Sequence, residues 1–418
     1  MNIKFRLTVL NFLQFFIWGS WLITIGAFWF QNKHWAGDKF GIIFSTMGIA
    51  SIFMPSITGI IADKLINAEK LLGICHICGA VVLCMLPNVG DPTTFFWVML
   101  LNMMFYMPTI SLSIAVGYSA LKKEGLDVVK DYPPIRVWGT VGFIAALWTV
   151  SLLGFETSSN QFYLAAIVSL CLGLYAFTLP KCPPQLNAAS NKSFVDALGL
   201  KSFVLFKDKK MAMFFVFSLL LGAALQLTNA YGDTFLHDFK DVAIYKDTIA
   251  VKYPAIIMSI SQISETLFIL TIPFFLRKFG IKQVMFFSMI AWVLRFGLLA
   301  YGNPADGLWM IITSCIVYGM AFDFFNISGS LFVETQTDPS IRASAQGLFM
   351  MMTNGFGAVI GSLVSGAVIQ HYFTNADNSK NWNGIWIAFA AYSLVVAILF
   401  LLFFKHKHNV KDVEVVAH

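Results

Sequence analysis

Apolar residues gather into twelve runs of spanning length, separated by polar breaks that are mostly short. The runs fall at about 7–30, 40–62, 70–87, 94–120, 133–154, 160–180, 211–236, 254–276, 283–302, 308–333, 343–371 and 383–404. About 20 apolar residues in a helix cross the hydrocarbon layer of a bilayer, so each run predicts one transmembrane helix. Their lengths and their Gly, Pro and Ser content suit helices. The loops are too short for the alternating strands of a membrane barrel. The pattern predicts an all-α membrane protein of twelve transmembrane helices.

Two acids interrupt this pattern where a bilayer tolerates them least. Glu265 lies about 11 residues, or ~16 Å, from either end of its run, and Asp323 about ten residues, or ~15 Å, from its inner end. A carboxylate at that depth costs about 2.5–3.5 kcal/mol on insertion scales, so it normally faces a partner or a watery pathway.

The longest polar interval between runs, 181–210, opens on Pro180-Lys-Cys-Pro-Pro184 and is rich in Lys, Asn and Ser. It reads as a cytoplasmic linker, with a short surface helix from Lys192. It separates a six-helix bundle at 1–180 from a second at 211–406, leaving a tail at 407–418. An internal match supports duplication. Ile135-Arg-Val-Trp-Gly-Thr-Val-Gly-Phe143 opens the fifth run, and Ile341-Arg-Ala-Ser-Ala-Gln-Gly-Leu-Phe349 opens the eleventh, its counterpart in a six-plus-six repeat. Two pseudo-symmetric halves are the arrangement of major facilitator transporters. Gly59-Ile-Ile-Ala-Asp63-Lys64 resembles the loop motif of that superfamily and assigns Asp63 to a cytoplasmic gate.

The composition agrees: 58% hydrophobic, 12% charged, mean hydropathy +0.73. If the amino terminus is cytoplasmic, 21 of the 28 Lys and Arg residues fall on the inner side and six outside, with Arg295 inside a run. Both termini are therefore expected in the cytoplasm. The net charge of +6 reflects this topology, and no nucleic-acid partner is needed to explain it. The first run reads as one retained helix, not a cleaved leader. The six cysteines follow no disulfide pattern, and Cys75-His-Ile-Cys78 has no second ligand pair that would make it a metal site. Asn326-Ile-Ser328 matches a glycosylation pattern but lies inside a run. No metal or cofactor is expected, and no cluster of His and acids at one interface suggests a membrane enzyme.

Polar residues inside the runs share helix faces. Arg136, Thr140 and Phe143 stand at i, i+4 and i+7; Gln226 and Asn229 at i, i+3; Gln262 and Glu265 at i, i+3. Tyr318, Phe322 and Asn326 recur every fourth residue, with Asp323 beside them. In the superfamily architecture, runs five, seven, eight and ten line the central cavity. Arg136, only about three residues into its run, must reach inward from the inner mouth. Aromatic rings beside amides and acids suit a flat heterocycle: the base stacks, amides read its edge and an acid accepts from ribose hydroxyls. A sugar site could look similar. Arg295 is expected in a structural ion pair on a peripheral helix, and His76 in a structural role.

Five stretches carry a closer resemblance: Phe12-Leu-Gln-Phe-Phe-Ile-Trp-Gly-Ser-Trp21, Pro133-Pro-Ile-Arg-Val-Trp-Gly-Thr140, Met258-Ser-Ile-Ser-Gln-Ile-Ser-Glu-Thr-Leu-Phe268, Phe322-Asp-Phe-Phe-Asn-Ile-Ser-Gly329 and Ile341-Arg-Ala-Ser-Ala-Gln-Gly347. Together they resemble the nucleoside:proton symporter family of bacterial inner membranes, from residue 1 to about 406. The resemblance implies uptake of purine and pyrimidine nucleosides, such as uridine and adenosine, driven by protons through a functional monomer. It implies a substrate site of Arg136, Thr140, Phe143, Gln226, Asn229, Gln262, Glu265, Tyr318 and Phe322, with Asp323 important for transport. Asp323 and Glu265 are the candidates for proton coupling. Ala224 departs from the family pattern, which has an acid there; either that acid is dispensable or the specificity differs. A sugar or oligosaccharide symporter of the same superfamily is the alternative. In an alternating-access cycle, one proton charge moving through ~150 mV supplies about 3.5 kcal/mol, enough for several-hundred-fold accumulation.

Overall fold

The computed structural model describes residues 2–184, 200–338 and 341–406. It divides into two units, Met1–Leu198 and Gly199–His418. Among the described residues the regular structure is helical, apart from an isolated bridge between Thr374 and Lys380. The first unit contains α1 (Ile3–Gly19), α2 (Phe40–Lys64), α3 (Ala68–Met85), α4 (Pro92–Lys123), α5 (Val128–Leu152) and α6 (Asn160–Ala176). The second contains α7 (Lys209–His237), α8 (254–279), α9 (281–301), α10 (Leu308–Gln336), α11 (342–372) and α12 (Trp382–Phe403). The helices α8 and α9 follow one another directly, broken only at Gly280, whose φ of 78° suits a residue without a Cβ. Helix thus falls on each of the twelve apolar runs.

Side-chain caps explain several boundaries. Asn2, Asp91, Asp208 and Asn381 each accept a hydrogen bond from a backbone N–H in the first turn of α1, α4, α7 and α12, respectively. At α5, Asp131 Oδ2 accepts from the Asp127 N–H at 3.1 Å while its Oδ1 accepts from Lys4 Nζ at 2.7 Å. That anchored first turn carries the helix through Pro133 and Pro134.

Two expectations need correction and a third lies outside the described residues. The first run is not one continuous helix: α1 ends at Gly19, residues 20–24 turn, and helical structure resumes at Ile25 and runs as a π-helix from Phe28 to Asn32. Ser20 Oγ turns back to donate to Phe16 O, and Thr24 Oγ1 donates to Gln161 Oε1 on α6, so side chains take over where the helical ladder stops. The fifth helix begins at Val128 rather than 133, which places Arg136 eight residues into it, ~12 Å from its start rather than ~5 Å. The surface helix expected from Lys192 falls on residues outside the described ones up to 199; Leu200–Lys207 forms a 3-10 turn leading into α7.

Close helix crossings occur where the neighbour leaves no room for a Cβ. An added Cβ at Gly142 of α5 would stand 2.1 Å from Phe12 O of α1, and at Gly222 of α7 it would stand 2.1 Å from Thr353 O of α11. Gly73 and Gly173 make a reciprocal contact between α3 and α6. At Gly319 of α10 the obstructing atoms are Ser264 and the Glu265 amide of α8. Small residues at such crossings let helices pack where no hydrophobic force drives them together. Apolar side chains such as Leu394, Val395, Ile398 and Leu402 of α12 remain exposed, as befits a lipid-facing surface.

Candidate functional site

In the first unit the α1/α5 crossing sets the site residues. Arg136 is half-buried with its guanidinium carbon 4.1 Å from the centre of the Phe15 ring, a cation–π contact. Gly139, one turn on, keeps that space open: a Cβ there would meet Arg136 Nη1 and Phe15 at 2.7 Å. Thr140 is half-buried on the same stripe, and Phe143 is buried with its ring edge-on to Trp18 at 6.5 Å. Trp18 also packs on Tyr106 at 5.6 Å, and its indole N–H is buried without a hydrogen-bond partner. Phe15 and Trp18 escaped the site assignment from sequence. Their i, i+3 spacing on α1 was the available signal, but it does not say which helix they face.

Behind them lies a polar network. His76 Nε2 donates to Gln14 Oε1 at 2.8 Å, and Gln14 Nε2 donates to Thr109 Oγ1 at 2.7 Å. The Tyr106 hydroxyl donates to Gln14 O at 2.7 Å, and His76 Nδ1 stands 3.2 Å from Ser169 Oγ. The network ties α1, α3, α4 and α6 together, a structural role for His76.

In the second unit the predicted residues lie on three helices that meet. The α8/α10 contact at Gly319 abuts the Glu265 amide, and the Ser264 hydroxyl donates to Ile316 O across it. Met258 of α8 closes on Gly232 of α7. Tyr318 and Phe322 are stacked almost parallel, with ring centres 5.9 Å apart and planes at 3°. Asp323 is buried, 5% exposed, and Glu265 and Asn229 are half-buried. Asp323 lies within the electrostatic reach of Glu265, and Tyr318 within that of both.

Three acceptors in this unit are conspicuous. Gln226 Oε1, Gln262 Oε1 and Asp323 Oδ2 are buried and accept no hydrogen bond among the described residues. Most buried polar atoms have a partner, and leaving one without costs about 1–3 kcal/mol. Three such atoms on α7, α8 and α10 form a set suited to a ligand that brings donors. Asn326, the last member of the α10 stripe, instead donates back to Phe322 O at 3.1 Å.

Arg295 departs from expectation. It is fully buried, and its partners are neutral: Nη1 donates to Ser314 O at 2.8 Å and to Ser261 Oγ at 3.4 Å, and Nε donates to Thr228 Oγ1 at 3.3 Å. Its guanidinium lies 4.6 Å from the centre of the Tyr318 ring. Carbonyl, hydroxyl and ring replace the carboxylate of an ion pair. Ala224, the position that departs from the family pattern, is buried on α7 at 1% exposure. Asp63 lies in the last turn of α2, and its side chain is outside the described residues.

Comparison with known proteins places this geometry. A family model described as nucleoside H+ symporter matches residues 1–409. The chain is 52% identical to the xanthosine permease of Escherichia coli K12 over 99% of both chains. It is 51% identical to the nucleoside permease NupG of the same organism, over 98% of this chain and 97% of that one. The crystal structure of nucleoside transporter NupG superposes with a TM-score of 0.91 at 50% identity, covering 97% of this chain and all of the other.

Proposed function

The chain belongs to the nucleoside H+ symporter family, and from that premise we propose that it carries purine and pyrimidine nucleosides, uridine and adenosine among them, inward with protons across the bacterial inner membrane. It is a transporter and not an enzyme. The observation that carries the substrate reading is the set of open acceptors on α7, α8 and α10, Gln226 Oε1, Gln262 Oε1 and Asp323 Oδ2, together with the stacked Tyr318 and Phe322 rings of α10. A nucleoside brings what these groups lack: amine and imide donors on the base edge, hydroxyl donors on the ribose and a flat face for the rings.

In this reading Gln226, Asn229 and Gln262 bind polar edges of the cargo, Glu265 accepts from ribose, and Tyr318, Phe322 and Phe143 provide ring contacts. Arg136 and Thr140 supply donors from the first unit. Glu265 and Asp323 are the two candidates for the coupling proton, and Asp63 belongs to the cytoplasmic gate. The basic bias of the loops supports cytoplasmic termini. The reading takes a functional monomer with the proton as coupling ion and no metal or cofactor.

The test is uptake of labelled uridine into proteoliposomes under an inward proton gradient. Accumulation should be abolished by a protonophore and competed by adenosine but not by disaccharides. Accumulation that survives the protonophore, or that only a disaccharide displaces, would overturn the reading and favour a sugar symporter.

A further inference from the structure

The charge of Arg295 has no place in the substrate site described above, yet it is fully buried in a membrane helix, and among the described residues no carboxylate pairs with it. Such a charge is costly, and an apolar side chain of similar volume would pack there at less expense. Its contacts show what it does. One guanidinium reaches all three helices that carry the second unit's candidate residues. On α7 it holds Thr228, between Gln226 and Asn229; on α8 it holds Ser261, adjacent to Gln262; on α10 it holds Ser314 O, one turn before Tyr318. Ser314 Oγ donates back to Arg295 O at 3.1 Å, so the α9/α10 contact is bonded in both directions.

The Tyr318 ring is fixed from the same helix. Arg295 lies 4.6 Å from its centre, and Trp292, one turn earlier on α9, stands edge-on to it at 5.9 Å and 89°. The third neighbour is Phe322, parallel at 5.9 Å. A lysine could keep the charge at this position, but not the planar fork that satisfies several acceptors while lying over a ring.

We propose that Arg295 is a positioning residue for nucleoside binding: it sets the orientation of Tyr318 and the register of the amide-bearing faces of α7 and α8, without touching the cargo. This rests on the nucleoside reading above. It adds α9 to the elements that determine affinity, although α9 carries none of the residues assigned from sequence.

The test uses full-length purified protein, with uridine and adenosine affinity measured by titration calorimetry and melting temperature measured with and without nucleoside. Arg295→Lys should weaken both nucleosides on the order of tenfold, the loss of one or two net hydrogen bonds. In a Tyr318→Leu background the same substitution should add less than about twofold, because residues acting through one another are not additive. If Arg295→Lys fails to accumulate, Thr228→Val and Ser261→Ala take its place, each removing one guanidinium partner and each expected to weaken binding about threefold. A lower melting temperature with unchanged affinity would make Arg295 a structural residue only and overturn the proposal. So would an equal loss in both backgrounds. Wild-type protein that binds neither nucleoside would instead overturn the functional reading.

Discussion

His76 on α3 and Arg295 on α9 occupy counterpart helices of the two halves, and both reach inward to hold their neighbours. His76 is neutral chemistry: its ring, Gln14 and Thr109 form a chain in which each donor meets an acceptor, joining α1, α3, α4 and α6. Arg295 is a full positive charge that joins α7, α8, α9 and α10 through neutral oxygens and the Tyr318 ring. The His76 network closes on itself, although Asn11 Oδ1 and the Trp18 indole N–H elsewhere in the first unit are buried without a partner among the described residues. In the second, Gln226 Oε1, Gln262 Oε1 and Asp323 Oδ2 on the helices that Arg295 joins are buried without a partner among the described residues. Both halves thus use a buried polar side chain on the third helix to tie neighbouring helices together, one through a neutral chain and the other through a guanidinium.

The internal repeat shows the same divergence. Arg136 and Arg342 follow equivalent isoleucines, Ile135 and Ile341. Arg136 lies well inside α5 over the Phe15 ring. Arg342 is the first residue of α11 and pairs with Glu334 at 2.8 Å, both side chains about a third exposed. One motif gives an interior cation in the first unit and a helix-end ion pair in the second.

The largest expected effect sharpens the difference in chemistry. Glu265→Gln and Asp323→Asn should each reduce concentrative uridine uptake by on the order of 10–150-fold, the loss of a charge-assisted contact. For the acid that carries the proton, counterflow exchange should fall less than accumulation; uptake assays with both readouts check this. Next comes a test of what the halves share. Gly142→Ala and Gly222→Ala meet backbone carbonyls at the same 2.1 Å, so both should destabilise, by about 1–3 kcal/mol, measured as unfolding in detergent. Strong destabilisation by only one of the two would show that the α1/α5 and α7/α11 crossings are not equivalent. Smallest is Arg342→Ala, which removes a partly exposed pair and should cost about 0.2–1 kcal/mol with little change in nucleoside affinity.

The fold was largely legible because each spanning helix needs an unbroken apolar run. The details that escaped depend on side chains meeting across helices. The turn at 20–24 interrupts an apolar stretch with no proline to announce it. The early start of α5 depends on Asp131 being held by Lys4, over a hundred residues away. Helical spacing grouped Gln226 with Asn229 and Gln262 with Glu265, since that follows from 3.6 residues per turn. It could not show that Phe15 and Trp18 pack beside Arg136 and Phe143, or that Arg295 is satisfied by hydroxyls rather than by an acid.

The most direct test of the contrast between the halves is calorimetric titration of uridine and adenosine into purified Gln226→Leu, Gln262→Leu and His76→Leu proteins. Removing an open acceptor should weaken binding about 3–10-fold for each glutamine variant, with the melting temperature held or raised, because the buried atom has no protein partner to lose. His76→Leu should lower the melting temperature and leave affinity within about twofold, because it breaks a network internal to the scaffold. Unchanged affinity in both glutamine variants, or a loss of affinity only in His76→Leu, would contradict the assignment of nucleoside recognition to the open acceptors of the second unit.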